Sequence, residues 1–213
     1  MYLHRLHLNH RSREVRRDIA DPYEMHSTLC RAFSSSSEQK CSPGSFLWRL
    51  EPEQSHDGFS KVIVQSHILP DWSRINLADW LGEAPTTPIN ILEKLSLDKR
   101  ANGSQFRYRL RANPSVCRKG RRFGLLNANE QTDWILKQGV KNGFKPFSIH
   151  RSEERMLSGN TRKISSTITI RLFSVLYDGI LSVTDLQQFQ KAVEFGIGRG
   201  KSMGLGLLSV API

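Results

Sequence analysis

Tyr23 and His26, in the stretch "DPYEMH" (21–26), stand three positions apart in a segment that reads as a helix. That spacing makes two side chains neighbours on a helix surface. Histidine transfers protons near neutral pH because its ordinary pKa is about 6.5, and a phenol beside it can orient it or share the work. The apolar stripe of this helix is Met25, Leu29, Ala32 and Phe33. At about 100° per residue, His26 falls about 75° from the centre of that stripe and Tyr23 about 135°. Both therefore sit on the flank or solvent side. On residue type alone two readings stand: a proton-transfer pair, or two surface residues without a role. The remaining histidines do not compete. His4, His7 and His10 lie on a strand, where His7 points opposite to the other two, and His56, His67 and His150 are isolated. No carboxylate pair or metal-ligand cluster stands out.

A second candidate is "EFGIGRGKSMGLGLLSVAPI" (194–213), whose Gly200-Lys201-Ser202 resembles the end of a phosphate-binding P-loop. The G-x-x-x-x-G-K-[ST] spacing puts the required first glycine at Phe195, so the pattern fails. The dinucleotide fingerprint fails as well, since it needs a glycine at Met203. A P-loop also leaves a strand and enters a helix, whose amides then hold phosphate. Here a helix precedes the loop and a strand follows it. ATP is excluded, which leaves two readings: a turn tightened by glycine, or a backbone that approaches a nucleic acid closely with Arg199 and Lys201 as its contacts.

The third set is basic. In "FRYRLRANP" (106–114), Arg107, Arg109 and Arg111 alternate with Phe106, Tyr108 and Leu110. On a strand this predicts one apolar face and one lined with guanidinium groups. "CRKGRRFG" adds Arg118, Lys119, Arg121 and Arg122 around Gly120, a basic turn suited to phosphates, and Arg13, Arg16 and Arg17 flank the Tyr23–His26 helix. Thirty-one Lys and Arg against twenty Asp and Glu leave a net charge of +11, which favours a polyanionic partner.

These residues need a scaffold. "MYLHRLHLN" reads as a strand and "HRSREVRRD" as a basic turn. The helix beginning at "DPYEMHSTLCRAF" has Asp21 as N-cap, Pro22 at its first position and Glu24 completing a capping box. Residues 34–45 form a polar loop. "FLWRLE" and "KVIVQSHIL" read as paired strands, and "INILEKLSL" (89–97) as a strand with Ile89, Ile91, Leu95 and Leu97 on one face. "DKRANGS" (98–104) is the linker. The order then repeats: a strand at 105–113, a helix capped near Asn129 and stopped at Gly143, two strands, a helix "TDLQQFQKAVEF" and a closing strand. This is β-α-β-β-α-β twice, worn in the first copy, so the expected class is α+β with two tandem ferredoxin-like (RRM-like) domains over 1–100 and 104–213.

Cys30, Cys41 and Cys117 are odd in number and contain no C-x-x-C pair. That speaks against a disulfide framework and a zinc site and for a reducing cytosol. No stretch has signal-peptide or membrane-spanning character, so the expected location is cytoplasmic, with no membrane partner.

"DPYEMH", "FRYRLRANP" and "GIGRGKSMGLGLLSVAPI", in that order, resemble the CRISPR precursor-RNA-processing endoribonucleases of the type I-E Cascade system, the CasE family. The resemblance runs from Met1 to Ile213. It implies two ferredoxin-like domains and metal-independent cleavage of CRISPR repeat RNA beside its stem-loop. The RNA's own 2′-OH would attack, leaving a 2′,3′-cyclic phosphate and a 5′-hydroxyl, with no cofactor. It makes His26 the general acid/base and Tyr23 its positioning partner or co-catalyst. It also places a lysine of the loop "SGNTRKISS" near the scissile phosphate, for which Arg162 and Lys163 are both candidates. The implied partners are the crRNA stem-loop and the other Cascade subunits. The rival reading is a non-catalytic RNA-binding scaffold of the same fold.

Overall fold

The computed structural model describes residues 1–34, 41–54, 59–76, 79–163 and 166–213, and only the backbone of residues 53, 54, 161–163, 166 and 167. In chain order the elements are β1 (Tyr2–Asn9), α1 (Arg13–Ala20), α2 (Pro22–Cys30), β2 (Phe46–Gln54), β3 (Phe59–Ser66), β4 (Ile89–Asn90), α3 (Ile91–Leu95), β5 (Gln105–Ala112), β6 (Ser115–Arg118), β7 (Arg121–Gly124), α4 (Ala128–Lys141), β8 (Phe144–Lys163), β9 (Ser166–Val183), α5 (Leu186–Phe195) and β10 (Leu208–Pro212).

Two four-stranded sheets result, ordered β2-β3-β1-β4 and β10-β5-β9-β8. In both, the first and third strands of the set lie at the centre. This is the ferredoxin-like order, so the sequence-based expectation of two such folds is met. The chain divides into two compact units. One comprises Met1–Ile91, Leu157–Arg171 and Ser202–Gly204; the other comprises Leu92–Met156, Leu172–Lys201 and Leu205–Ile213.

In the first unit, β1 pairs antiparallel with β3 from Tyr2 opposite Ser66 to Asn9 opposite Phe59. Its His4, Leu6 and Leu8 are buried while Arg5 is exposed, the alternation of a half-buried strand. The core gathers Leu6, Leu8, Val15, Met25, Leu29, Trp48, Val62, Val64 and Trp80. Two sequence expectations give way here. "HRSREVRRD" is a helix, α1, not a turn. Its inward stripe is only Val15 and Ile19, too thin to read among the four arginines of 11–17, and Trp80 fixes it by donating from Nε1 to buried Asp18 at 2.8 Å. "INILEKLSL" is not a strand over 89–97. β4 ends at Asn90 and α3 begins, with Ile91 and Leu95 buried one turn apart and Leu92 half exposed. The four apolar positions satisfied both periods, and the helical one wins.

The second unit follows the expected order more closely. β5 pairs with β9 and with β10, both antiparallel. Asn127, not Asn129, caps α4, its side chain accepting from the amides of Asn129 and Glu130. Asp185 caps α5 through the Gln188 amide, and Phe189, Ala192 and Val193 turn into the core. The basic turn at 118–122 is a two-stranded hairpin, β6 with β7, closed by Lys119 and Gly120 at positive φ.

Candidate active site and basic surface

The helix carrying Tyr23 and His26 is held at its start by one carboxylate with two jobs. Asp21 caps α2 by accepting from the Tyr23 amide through Oδ1 at 2.9 Å. Its other oxygen, Oδ2, accepts from the backbone amide of Asn160 at 3.1 Å and from its Nδ2 at 3.5 Å. Asn160 Oδ1 in turn accepts from the Thr169 hydroxyl at 2.9 Å. The end of the β8–β9 pair is thus tied to the first turn of α2 within one compact unit. Gly159 belongs to the same contact: a Cβ there would meet the Met203 side chain at 2.8 Å and Asp21 at 3.2 Å. Arg162 and Lys163 follow Asn160 on this strand, and their side chains lie outside the described residues.

His26 is more enclosed than its place on the helix suggests. Its ring packs against Phe46 with centroids 5.0 Å apart, and Phe46 stacks on Phe33 at 4.6 Å. Nδ1 is buried with no hydrogen-bond partner, while Nε2 lies 3.7 Å from Cys30 Sγ. Burial pushes the imidazole below its ordinary pKa, because the charged form loses hydration. At neutral pH the ring is therefore neutral and able to accept a proton. Tyr23 is half-buried on the same helix.

The cysteine expectation is overturned. Cys30 and Cys41 form a disulfide, with Cα atoms 5.3 Å apart, and Cys117 is free and exposed. An odd count hid one close pair, because sequence arithmetic does not know that the chain after α2 returns to its last residue.

The other histidines do not converge. His4 is buried and accepts from Trp72 Nε1 at 3.3 Å. His7 pairs with Glu83 at 3.0 Å, and His10 meets the Ser60 hydroxyl at 2.7 Å. His67 and His150 are exposed, and His56 lies outside the described residues.

The arginine strand departs from its simple alternation. Phe106, Tyr108 and Leu110 are buried and Arg107 is exposed, as the pattern predicts. Arg109 is half-buried and pairs with Asp178 at 2.7 Å. Arg111 is only 2 % exposed and reaches Ser174 Oγ at 3.3 Å and the Glu153 carbonyl at 3.5 Å. A face lined by three solvent-facing guanidinium groups is therefore corrected to one exposed arginine and two engaged ones. At the far end of β5 the Gly206 amide donates to the Arg111 carbonyl at 2.7 Å.

The hairpin carries Arg118, Lys119, Arg121 and Arg122, all exposed, with Arg118 reaching Glu130 at 3.3 Å. On α1, Arg17 is engaged with Asp18 and Glu24, and Arg16 donates to the carbonyls of His10 and Arg11.

The glycine loop is built chiefly for packing. Ile197, Met203, Leu205 and Leu207 are buried, the Ile197 amide donates to the Gly206 carbonyl at 2.8 Å, and Gly204 has φ +74°. A Cβ on Gly204 would lie 2.9 Å from the Trp48 ring, so glycine is demanded by conformation and by space. Arg199 is exposed and Lys201 half-buried. Among the described residues, no helix is long and apolar enough to cross a membrane.

Comparison with known proteins gives a consistent answer. The family model described as CRISPR associated protein matches residues 1–212. The chain is 33% identical to the CRISPR-associated endoribonuclease Cse3 of Thermus thermophilus, with all of both chains covered. It is 25% identical to the CRISPR system Cascade subunit CasE of Escherichia coli K12, covering 91% of this chain and 93% of that one. Among solved structures, Cse3 bound to a 19-nucleotide RNA superposes with a TM-score of 0.82 at 32% identity, with all of both chains covered.

Proposed function

Since the chain belongs to the CRISPR associated protein family, we propose that it is the endoribonuclease that processes CRISPR precursor RNA and stays with the product as a Cascade subunit in the cytoplasm. The observation that carries this reading is the full-length likeness to an RNA-bound endoribonuclease, together with a neutral, enclosed imidazole on a capped helix.

The chemistry uses the RNA's own hydroxyl. His26 takes the proton of the 2′-OH beside the scissile phosphate, and the 2′-oxygen attacks phosphorus. The bond to the 5′-oxygen breaks, leaving a 2′,3′-cyclic phosphate on one fragment and a 5′-hydroxyl on the other. Protonation of the departing oxygen completes the balance. Tyr23, one turn earlier on α2, positions the imidazole or supplies that second proton. A cation near the phosphate lowers the energy of the charged transition state. Arg162 or Lys163 supplies it, carried by the strand that Asn160 ties to Asp21. RNA affinity comes from exposed Arg107, Arg118, Lys119, Arg121, Arg122 and Arg199, with Lys201 at the loop edge. Arg109 and Arg111, engaged inside the second unit, act mainly through folding. Such phosphate contacts give salt-dependent affinity without sequence choice. Choice comes from the hairpin's shape and the unpaired bases beside it.

The test is cleavage of the organism's own CRISPR repeat RNA in EDTA. Wild type is expected to cut at a single position. An RNA with a 2′-deoxy at the cut site, and the His26→Ala chain, are expected to bind without cutting. Binding by wild type without cleavage would replace this reading with a scaffold, and cleavage of the deoxy substrate would remove the 2′-OH mechanism.

A further inference from the structure

The disulfide does not stand alone. His26 and Cys30 occupy consecutive turns of α2, four residues apart, and Cys41 closes on them from the chain that follows. One ligating atom from each, the imidazole nitrogen and the two sulfurs, lie within 4.8 Å of one another. All three residues are partly buried, so the cluster is neither sealed in the core nor loose on the surface. Thiolate and imidazole are the ligand types that suit Zn²⁺. Three such ligands with solvent access leave a fourth position for water.

We propose that, once the Cys30–Cys41 bond is reduced, His26, Cys30 and Cys41 form a binding site for a thiophilic divalent cation such as Zn²⁺, and that its occupancy silences the histidine. Cys30 Sγ already lies 3.7 Å from His26 Nε2. Nδ1 is buried without a partner, so Nε2 is the nitrogen able to reach outward. A cation at the cluster takes the Nε2 lone pair, and an imidazole bound in that way accepts no proton. The effect on RNA cleavage rests on the function proposed above; the site itself does not.

The redox step balances simply. A dithiol reductant gives two electrons and two protons to the two sulfurs and is itself oxidised to a disulfide. In vitro a phosphine does the same, taking the oxygen of one water to become a phosphine oxide while the water's two protons end on Cys30 and Cys41. On binding, the cation displaces the thiol protons to the buffer, so affinity rises with pH.

The experiment uses the full chain carrying Cys117→Ser throughout, because Cys117 is exposed and would bind metal adventitiously. The phosphine-reduced protein is titrated with Co²⁺, which reports thiolate ligation by a near-ultraviolet charge-transfer band, and then with Zn²⁺ in competition. The expected result is saturation at one metal per chain, displacement of Co²⁺ by Zn²⁺, and no band in the oxidised protein. Cys30→Ser with Cys41→Ser should lose the band, and His26→Asn should bind at least roughly tenfold more weakly. Circular dichroism confirms that each variant folds. In a parallel cleavage assay Zn²⁺ should stop the reduced protein and EDTA should restore it, while the double serine variant, compared with its own metal-free rate, should not respond.

Absence of the band in the reduced protein overturns the metal site, whatever the nuclease assay shows. A band unaffected by His26→Asn overturns the part played by histidine. Cleavage at full rate with the site saturated overturns the silencing. A band with no cleavage under any condition leaves the site standing and overturns the proposed nuclease function.

Discussion

The two compact units share one strand order and spend it differently. In the second, both helices of the ferredoxin-like pattern are present, α4 with fourteen residues and α5 with ten, each started by a side-chain cap. In the first, the described residues of the second crossover, between β3 and β4, hold no α-helix, and β4 itself has only two residues. Its first crossover is instead doubled, as α1 and α2, and the second of these carries Tyr23 and His26. The regular unit presents basic residues on an exposed hairpin; the irregular one encloses a neutral imidazole. Binding charge needs only a firm surface, whereas tuning a proton-transfer group needs burial on several sides. Here the enclosure comes from Phe46, itself stacked on Phe33, and from Cys30 on the next turn of α2.

Removing either side of this contrast should have a different kinetic signature. The largest effect is expected from His26→Ala, which should slow single-turnover cleavage by roughly 10²–10⁴-fold while leaving RNA affinity close to wild type. A comparable loss of affinity would mean that the helix binds more than it catalyses.

Next in size is the anchor of α1. Asp18→Ala strands the indole N–H of Trp80, a buried donor, at a cost of about 1–3 kcal/mol, read as a shift of the urea midpoint. Tyr177→Phe removes the hydrogen bond from its hydroxyl to the Gln131 carbonyl in the second unit and should cost less, about 1 kcal/mol. The reverse order would mean that the regular unit sets global stability.

Arg121→Ala with Arg122→Ala should weaken RNA binding about tenfold and lower the slope of log affinity against log salt by about 1 per lost contact. Cleavage at saturating RNA should keep its wild-type rate. A fall in that rate would erase the division of labour between the units.

The smallest effect is one of pH. Burial lowers the pKa of His4, so the unfolded chain takes up a proton at a higher pH than the folded one. Stability from this group is therefore constant above its unfolded pKa of about 6.5 and falls as pH drops from there toward the lower folded value. Thermal melts at pH 7.5 and 5.5 should show a smaller difference for His4→Gln than for wild type.

Much of this molecule is legible in its residue order. Alternation in β1 and in the first part of β5, the Asp21 cap with Pro22 behind it, and the spacing of Tyr23 and His26 are properties of neighbouring residues, and each reappears in the structure. The exclusion of a P-loop needs only the counting of glycines. Where the reading failed, the local signal was weak or fitted two periods. Val15 and Ile19 are too few to announce α1, and Ile91 and Leu95 fit a strand's face as well as a helix's.

What only the tertiary structure decides is which distant residues share a place. The period of β5 treats Arg107, Arg109 and Arg111 alike, yet the first meets solvent, the second an aspartate sixty-nine positions away and the third a buried serine sixty-three away. Asp21 finds Asn160 across 139 positions, and Cys41 comes back to Cys30 beside His26. The sequence by itself determined most of the strand and helix types, α1 and residues 89–97 excepted, together with the chemistry available at Tyr23 and His26 and the positive charge, because each depends on residue type and near spacing. Burial and partnership are sums over the whole packed chain, and they decided which arginines remain exposed and how the imidazole is tuned.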